Sequence, residues 1–178
     1  MTIIHISAEC YPAAKAGGLG DVVGSLPKYQ NRGNYRSIVC MPHYHTPWLL
    51  KANKSLIDSA TYHLGARESI YNVYEIKEPL GFNLYTFDIP GYTDRPGIYL
   101  DPNSGHGYSD EFERFLGFQI SVLDTLIRWD LDPDVLHCHD HHTGLVPFMV
   151  QQCVAFKRLS NTPTMITVHN AEYHGNQD

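Results

Sequence analysis

The chain has 178 residues, a length that fits one domain with a substantial buried core. Its 43% hydrophobic and 18% charged residues are typical of a folded globular protein and exclude a disordered one. The net charge of −6 argues against a nucleic-acid or anionic-membrane surface, since both require clustered lysine and arginine.

The spacing of the cysteines and the pattern of the first residues indicate the cellular compartment of the protein. The chain contains no apolar run of membrane-spanning length, and its first residues resemble a strand rather than a signal peptide. Its four cysteines are widely spaced and form no C-x-x-C pair, which predicts buried thiols rather than disulfides or zinc ligands. We therefore expect a cytoplasmic protein. The cysteines are Cys10, Cys40, Cys138 and Cys153.

The first predicted elements are a strand, a glycine-rich loop and a helix. Residues 2–7 are apolar and β-branched, and residues 15–21 read Lys-Ala-Gly-Gly-Leu-Gly-Asp. A helical pattern begins at Asp21, and Pro27 predicts a kink or an early end in it. A second strand is predicted over 36–41, so this unit begins a parallel sheet.

The glycine-rich loop has the properties of an anion site. Its glycines let the backbone approach a ligand, the first helical N–H groups carry partial positive charge, and Lys15 adds an ammonium group. The stretch is neither a Walker A motif nor G-x-G-x-x-G, because Val23 stands where the third glycine belongs. From these residues alone, a phosphate site and an empty tight turn both remain open.

The middle of the chain predicts β-hairpins followed by a long loop. The β-rich runs 61–64, 70–76 and 83–89 are typical of antiparallel hairpins that lead into a central strand. Residues 90–107 contain several prolines and glycines and predict an irregular surface loop, a kind of loop that is often functional.

The C-terminal part alternates helices and strands. We expect a helix that Ser109 caps and that runs to about Trp129, then a buried strand over 134–138. A second helix is predicted from 141 to 157 and a last strand over 164–168.

Three polar clusters follow predicted strands, at 15–21, 137–143 and 169–175. Ligands of parallel α/β sheets bind at the carboxyl ends of strands, so we expect the clusters to form one site. His139 and Asp140 leave their strand there and are candidates for contact with a small molecule. We interpret His141 and His142 as a solvated helix start.

The histidine-rich segment 137–142 also raises the alternative of a metal site, because histidine and carboxylate ligands suit zinc or iron. The metallohydrolase pattern H-x-H-x-D-H fails by one position, since its aspartate would stand where the chain has His141. We therefore expect neither a metal nor a cofactor, and a His/Asp metallohydrolase is the weaker alternative.

Four motifs resemble those of the bacterial glycogen synthase and plant starch synthase family. They follow in order and cover nearly the whole chain, so residues 1–178 are identified as a truncated N-terminal catalytic domain of that family. The segment 15–22 matches K-x-G-G-L-x-D-V, with Glu9 and Pro12 before it; 137–144 is similar to H-x-H-D-W-H-[TA]-G, 167–175 to T-x-H-N-x-x-Y-Q-G, and 94–99 to D-R-x-G-x-Y.

The resemblance implies an α/β fold: a Rossmann-like three-layer domain with a mainly parallel central sheet, the N-terminal half of a two-domain GT-B glycosyltransferase. It implies a retaining glucosyltransferase that extends an α-1,4-glucan acceptor from ADP-glucose, or from UDP-glucose. The C-terminal domain of that enzyme would be missing after Asp178, so we expect this chain to be inactive alone. A stand-alone glucan- or phosphate-binding module is the alternative.

The resemblance also implies site residues. The expected catalytic residues are His169, whose main-chain carbonyl would meet the transferred glucose, Asp140 beside the donor and acceptor, and Asp21 near the donor. His141 replaces the family's tryptophan and His174 its glutamine, and the smaller imidazole at 141 is expected to alter acceptor affinity or preference. The expected substrate-binding residues are Lys15, Gly17, Gly18, Glu9, Tyr99, His139, His141, Asn170 and Tyr173.

Overall fold

A seven-stranded sheet forms the middle layer of the computed structural model, which describes residues 1–171. Its order is β3-β4-β5-β2-β1-β6-β7. Strands β5, β2, β1, β6 and β7 run parallel, and β4 is antiparallel to both of its neighbours, so the predicted mainly parallel sheet is confirmed. The strands are β1 (Thr2–Ile6), β2 (Arg36–Pro42), β3 (Lys54–Leu64), β4 (Arg67–Ile76), β5 (Asn83–Asp88), β6 (Val135–His139) and β7 (Thr164–Thr167).

Helices cover the sheet on both faces. Alternate strand residues point to opposite faces, so Ile4 joins the core beneath α3 and α4, whereas Val39 joins the core beneath α1. This arrangement confirms the expected three-layer α/β class. No helix within residues 1–171 combines the length and apolar character needed to cross a membrane. The helices are α1 (Gly18–Arg32), α2 (Pro47–Lys51), α3 (Glu111–Arg128) and α4 (Val146–Gln152).

Helix α1 continues through Pro27 to Arg32, so of the two alternatives at Pro27, a kink or an early end, the early end is wrong. Proline has no N–H and cannot donate to the carbonyl one turn earlier, which belongs to Val23. The thiol of Cys10 donates to that carbonyl over 3.7 Å and so supplies a replacement partner. Gly24 lets the helix approach the preceding loop, because a Cβ there would lie 2.5 Å from the carbonyl oxygen of Tyr11.

Helix α3 begins one residue later than the predicted Ser109 cap implies. The N-cap residue is Asp110, and its side chain makes no capping hydrogen bond. Both carboxylate oxygens of Asp110 instead accept hydrogen bonds from Arg95, at 2.7 and 2.6 Å. The pair fastens the long loop 90–107 to the start of the helix.

The single helix expected over 141–157 is also wrong. The segment forms a 3₁₀ turn at His141–Thr143, helix α4, and a second 3₁₀ segment at Val154–Leu159. Pro147 cannot donate to the carbonyl of Thr143, so the first turn cannot continue into α4. Cys153 then has an extended backbone and ends α4.

The prediction of buried thiols is confirmed for three of the four cysteines. All four cysteines are free, and Cys10, Cys40 and Cys138 are buried. Burial raises the pKa of Cys10 and of Cys138 to about 12, so these thiols stay protonated and serve as packing groups.

Candidate functional site

The carboxyl ends of β1, β6 and β7 lie side by side because these strands are neighbours in the sheet. The loop after β1 carries Lys15 to Asp21, β6 leads into Asp140, and β7 leads into His169. The prediction that the polar clusters share one edge of the sheet is confirmed for the described residues. Tyr173 and His174 lie outside the described residues.

Glu9 organises the glycine-rich loop from beneath. Its side chain is buried, and Oε2 accepts hydrogen bonds from the N–H groups of Ala16 at 2.6 Å and Gly17 at 3.0 Å. Its Oε1 accepts a 2.7 Å hydrogen bond from the hydroxyl of Tyr99. One carboxylate therefore joins the loop after β1 to the loop 90–107.

This geometry corrects two expectations. Glu9 was expected to bind substrate, but its carboxylate is directed at the protein and is inaccessible. Gly17 was also expected to bind substrate, but its backbone N–H donates to Oε2 of Glu9 and is therefore already occupied. Gly18 remains the exposed residue that begins α1, where the helix dipole favours an anion.

Lys15 and Asp21 form an ion pair at the mouth of the loop. Nζ lies 2.7 Å from Oδ2, and the two side chains are 43% and 55% exposed. An exposed pair of this kind stabilises a fold by only about 0–1 kcal/mol. A phosphate can therefore draw Lys15 away from Asp21 at little cost.

Asp140 and His169 are joined directly. The backbone N–H of His169 donates to Oδ1 of Asp140 over 2.6 Å, and the N–H of Asp140 donates to the carbonyl of Thr167 over 2.9 Å. Asp140 has φ 59° and ψ −179°, a conformation that residues other than glycine rarely adopt. Backbone strain of this kind clusters at functional sites, so Asp140 is a strong candidate for one.

Three imidazoles form a hydrogen-bonded line beneath this pair. His5 Nδ1 lies 3.0 Å from His139 Nε2, and His139 Nδ1 lies 2.9 Å from His169 Nε2. At the far end, His5 Nε2 lies 2.8 Å from Oε1 of Gln30 on α1. We call these four residues the histidine relay.

The relay corrects the expectation for His139. Its imidazole is fully buried and both ring nitrogens have protein partners, so it supports His169 rather than contacting a ligand. Burial, reinforced by the neighbouring histidines, lowers the pKa of His139 to about 2. Burial likewise lowers the pKa of His5 to about 4. Both rings are therefore neutral at neutral pH.

His142 corrects the expectation of a solvated helix start. It is buried and stacks on Tyr99, with ring centres 4.8 Å apart. Its ring also packs against that of His141, with ring centres 3.7 Å apart and the ring planes tilted by 35°. Burial lowers the pKa of His142 to about 3. The half-buried His141 therefore forms the outer end of a row of three packed rings.

Two groups within residues 1–171 have the composition of metal ligands. In the first, the rings of His137 and His139 stack with centres 4.1 Å apart. Two imidazoles on one tetrahedral zinc have ring centres roughly 5 Å apart, so this pair suits stacking better than ligation. The carboxylate within this histidine-rich segment, that of Asp140, accepts a hydrogen bond from the backbone N–H of His169. The groups are His5, His137 and His139, and Glu111, His141 and His142.

Sequence reasoning missed the supporting residues of the site. His5 was read only as a strand residue and Gln30 only as part of a helix. The available signal was the alternation of His137 and His139, which places both imidazoles on one face of β6. The missing information was the register, which pairs His5 of β1 with His137.

Comparisons with known proteins identify the family of this chain. The family described as the starch synthase catalytic domain matches residues 2–178. A glycogen synthase of Flavobacterium johnsoniae is 44% identical over 98% of this chain, and a glycogen synthase of Clostridioides difficile is 36% identical over the same share. The chain spans about a third of these relatives, 36% of each.

A solved structure has the same fold. It is the catalytic domain of starch synthase IV from Arabidopsis thaliana bound to ADP and acarbose, and it is 26% identical to this chain. The TM-score is 0.85, over 97% of this chain and 34% of the other.

Proposed function

Because this chain belongs to the starch synthase catalytic domain family, we propose that it is the acceptor-side domain of a retaining glucosyltransferase that extends α-1,4-glucan. ADP-glucose is the donor, with UDP-glucose as the alternative. Residues 1–178 form a truncated N-terminal catalytic domain, and the enzyme is cytoplasmic. One observation carries the proposal: Lys15, Asp140 and His169 lie in the segments that follow three neighbouring parallel strands.

The donor diphosphate binds at the start of α1. Lys15 exchanges Asp21 for a phosphate oxygen, and the helix N-terminus at Gly18 adds its partial positive charge. During transfer, negative charge grows on the leaving diphosphate, and donors fixed in advance stabilise that charge. Asp21 acts near the donor as the group that holds Lys15 when no phosphate is bound.

The donor glucose lies against Asp140 and His169. The carboxylate of Asp140 holds the amide of His169, so the main-chain carbonyl of His169 has a fixed position for the glucose 6-hydroxyl. Asn170 follows at the exposed end of this segment, beside the same sugar.

The acceptor glucan runs along the row of rings formed by Tyr99, His142 and His141. Aromatic faces bind the apolar faces of sugar rings, and the half-buried His141 presents the outermost ring. The hydrogen bond from Tyr99 to Glu9 ties this acceptor side to the donor loop.

A second domain of the same protein completes the cleft and supplies most contacts to the nucleotide. The 178-residue chain alone therefore binds glucan weakly and transfers no glucose. No cofactor or metal takes part in the transfer.

Radiolabelled ADP-glucose tests this function. The full-length protein, expressed from the open reading frame that encodes this chain, should elongate maltooligosaccharides. The 178-residue chain should not. A full-length protein that elongates no glucan from either ADP-glucose or UDP-glucose would contradict the proposal. Elongation by the 178-residue chain would contradict the need for a second domain.

A further inference from the structure

The histidine relay runs from a helix on one face of the sheet to the rim of the site. His5 and His139 are fully buried, Gln30 lies at one end, and His169 reaches partial exposure at the other. The three hydrogen bonds measure 2.8, 3.0 and 2.9 Å, so the line has no gap.

The amide oxygen of Gln30 sets the direction of every hydrogen bond. Oε1 also accepts from Ser37 Oγ over 2.7 Å, and an amide oxygen can only accept. His5 therefore carries its proton on Nε2 and presents a lone pair at Nδ1. That lone pair accepts from Nε2–H of His139, whose Nδ1 then accepts from Nε2–H of His169. All three rings are thus held as Nε2–H tautomers.

The relay matters because β7 holds His169 weakly. This strand has four residues, the middle two are exposed, and it pairs with β6. Asp140 fixes the backbone N–H of His169, and His139 fixes its ring. The segment after an exposed strand is thereby tied to β1 and α1 in the interior.

We propose that Gln30, His5 and His139 are positioning residues for glucosyl transfer, because their hydrogen bonds fix the orientation of His169 at the donor glucose. The inference rests on the function proposed above. None of the three touches substrate: they act through His169. Misplacement of a reacting group by about 1 Å can cost roughly 100-fold in rate, so the relay is expected to affect kcat more than KM.

Paired variants of the full-length protein test the relay. His139→Leu removes both hydrogen bonds and is expected to lower kcat roughly 10- to 100-fold with little change in the KM for ADP-glucose. His139→Asn keeps an acceptor near the position of Nδ1 and is expected to retain more activity. A purely structural role would not separate the two variants.

Gln30→Met gives a test at the far end of the relay, where the side chain is partly exposed and the fold is less at risk. Without the amide oxygen, the relay histidines can carry their protons either on Nε2 or on Nδ1. Magic-angle-spinning NMR of ring-¹⁵N-histidine protein should show His169 as the Nε2–H tautomer in the wild type and as a mixture in Gln30→Met. His169→Gln assigns the signal, and Tyr29→Met, an exposed neighbour on α1, is the control.

Each outcome decides the question. A wild-type His169 with its proton on Nδ1, or equal and wild-type-like kcat in both His139 variants, would overturn the relay. If the His139 variants do not fold, the kcat and tautomer of Gln30→Met decide. A wild-type protein that elongates no glucan refutes the proposed function and the positioning role with it, whereas an active wild type with unaffected variants refutes only the positioning role.

Discussion

The backbone N–H of His169 donates to Oδ1 of Asp140 over 2.6 Å, although 29 positions separate the two residues in the chain. This hydrogen bond joins the loops that leave β6 and β7. It also explains why Asp140 holds an unfavourable backbone conformation, because its φ of 59° accompanies a carboxylate that accepts from the next strand's loop. Backbone strain and the proposed function therefore coincide at one residue.

Substitutions of Asp140 separate strain from the hydrogen bond. Asp140→Asn keeps an acceptor oxygen, so its free energy of unfolding should lie within about 1 kcal/mol of the wild-type value. Asp140→Ala keeps the strain without the hydrogen bond and should lose about 1–3 kcal/mol. Asp140→Gly removes the strain, so its stability should exceed that of the alanine variant while activity is lost. Urea denaturation measures the stability of each variant, and glucan elongation measures its activity. An alanine variant as stable as the glycine variant would contradict backbone strain at position 140.

Lys15→Ala tests the phosphate site. A charged hydrogen bond contributes about 1.5–3 kcal/mol, so kcat/KM for ADP-glucose should fall roughly 10- to 100-fold. Stability should change by less than about 1 kcal/mol, since the partner Asp21 is exposed. Lys51→Ala, which removes an exposed lysine on α2, is the matched control. An unchanged kcat/KM in Lys15→Ala would contradict the assignment.

A double-mutant cycle tests the link between Glu9 and Tyr99. Tyr99→Phe removes the donor to Oε1 and leaves a buried carboxylate oxygen without its partner, so it should cost about 1–3 kcal/mol. Glu9→Gln should cost a similar amount, and the double variant should lose less than the sum. Additive losses of unfolding free energy would contradict direct coupling.

The location of the candidate site could be predicted because the sequence indicates where the strands end. Lys15, Asp140 and His169 each follow a β-branched or buried run, and parallel strands place their carboxyl ends at one edge. The resemblance to a family supplied the chemistry, and the sheet order confirms that the three residues share that edge.

The side-chain partners could not be predicted in the same way. The contact between His5 and His139 depends on strand register across 134 positions. Helix α1 runs through Pro27, and the carbonyl of Val23, to which the proline cannot donate, accepts from the thiol of Cys10 in the loop after β1. In both cases a tertiary contact decides what local propensity leaves open.

As the pH is lowered, this domain should begin to lose stability at a higher pH than the titration of carboxylates alone would cause. Burial lowers the pKa of His43 to about 4, close to that of His5, whereas an unfolded histidine titrates near 6.5. Between these values the unfolded chain binds more protons, so stability is full above about pH 6.5 and falls as the pH drops. Each such histidine contributes a slope of about 1.4 kcal/mol per pH unit.

Urea denaturation between pH 7 and pH 5 measures that slope. His43→Gln should reduce it by about 1.4 kcal/mol per pH unit. Gln151→Ala, which removes an exposed group that does not titrate, should leave it unchanged. A stability that stays constant over this range would contradict the neutral state of the buried histidines.

His141→Trp should improve acceptor binding. His141 is the outer ring of the row and packs against His142 at a tilt, and an indole offers a larger face to a sugar than an imidazole does. The KM for maltooligosaccharides should fall by roughly three- to tenfold, which corresponds to an aromatic contribution of about 0.5–1.5 kcal/mol. The KM for ADP-glucose should not change, because the row lies on the Tyr99 side of the cleft. His63→Trp adds the same indole at an exposed position on β3 and controls for nonspecific glucan binding. A fall in acceptor KM that is equal in both variants would remove the acceptor role of position 141.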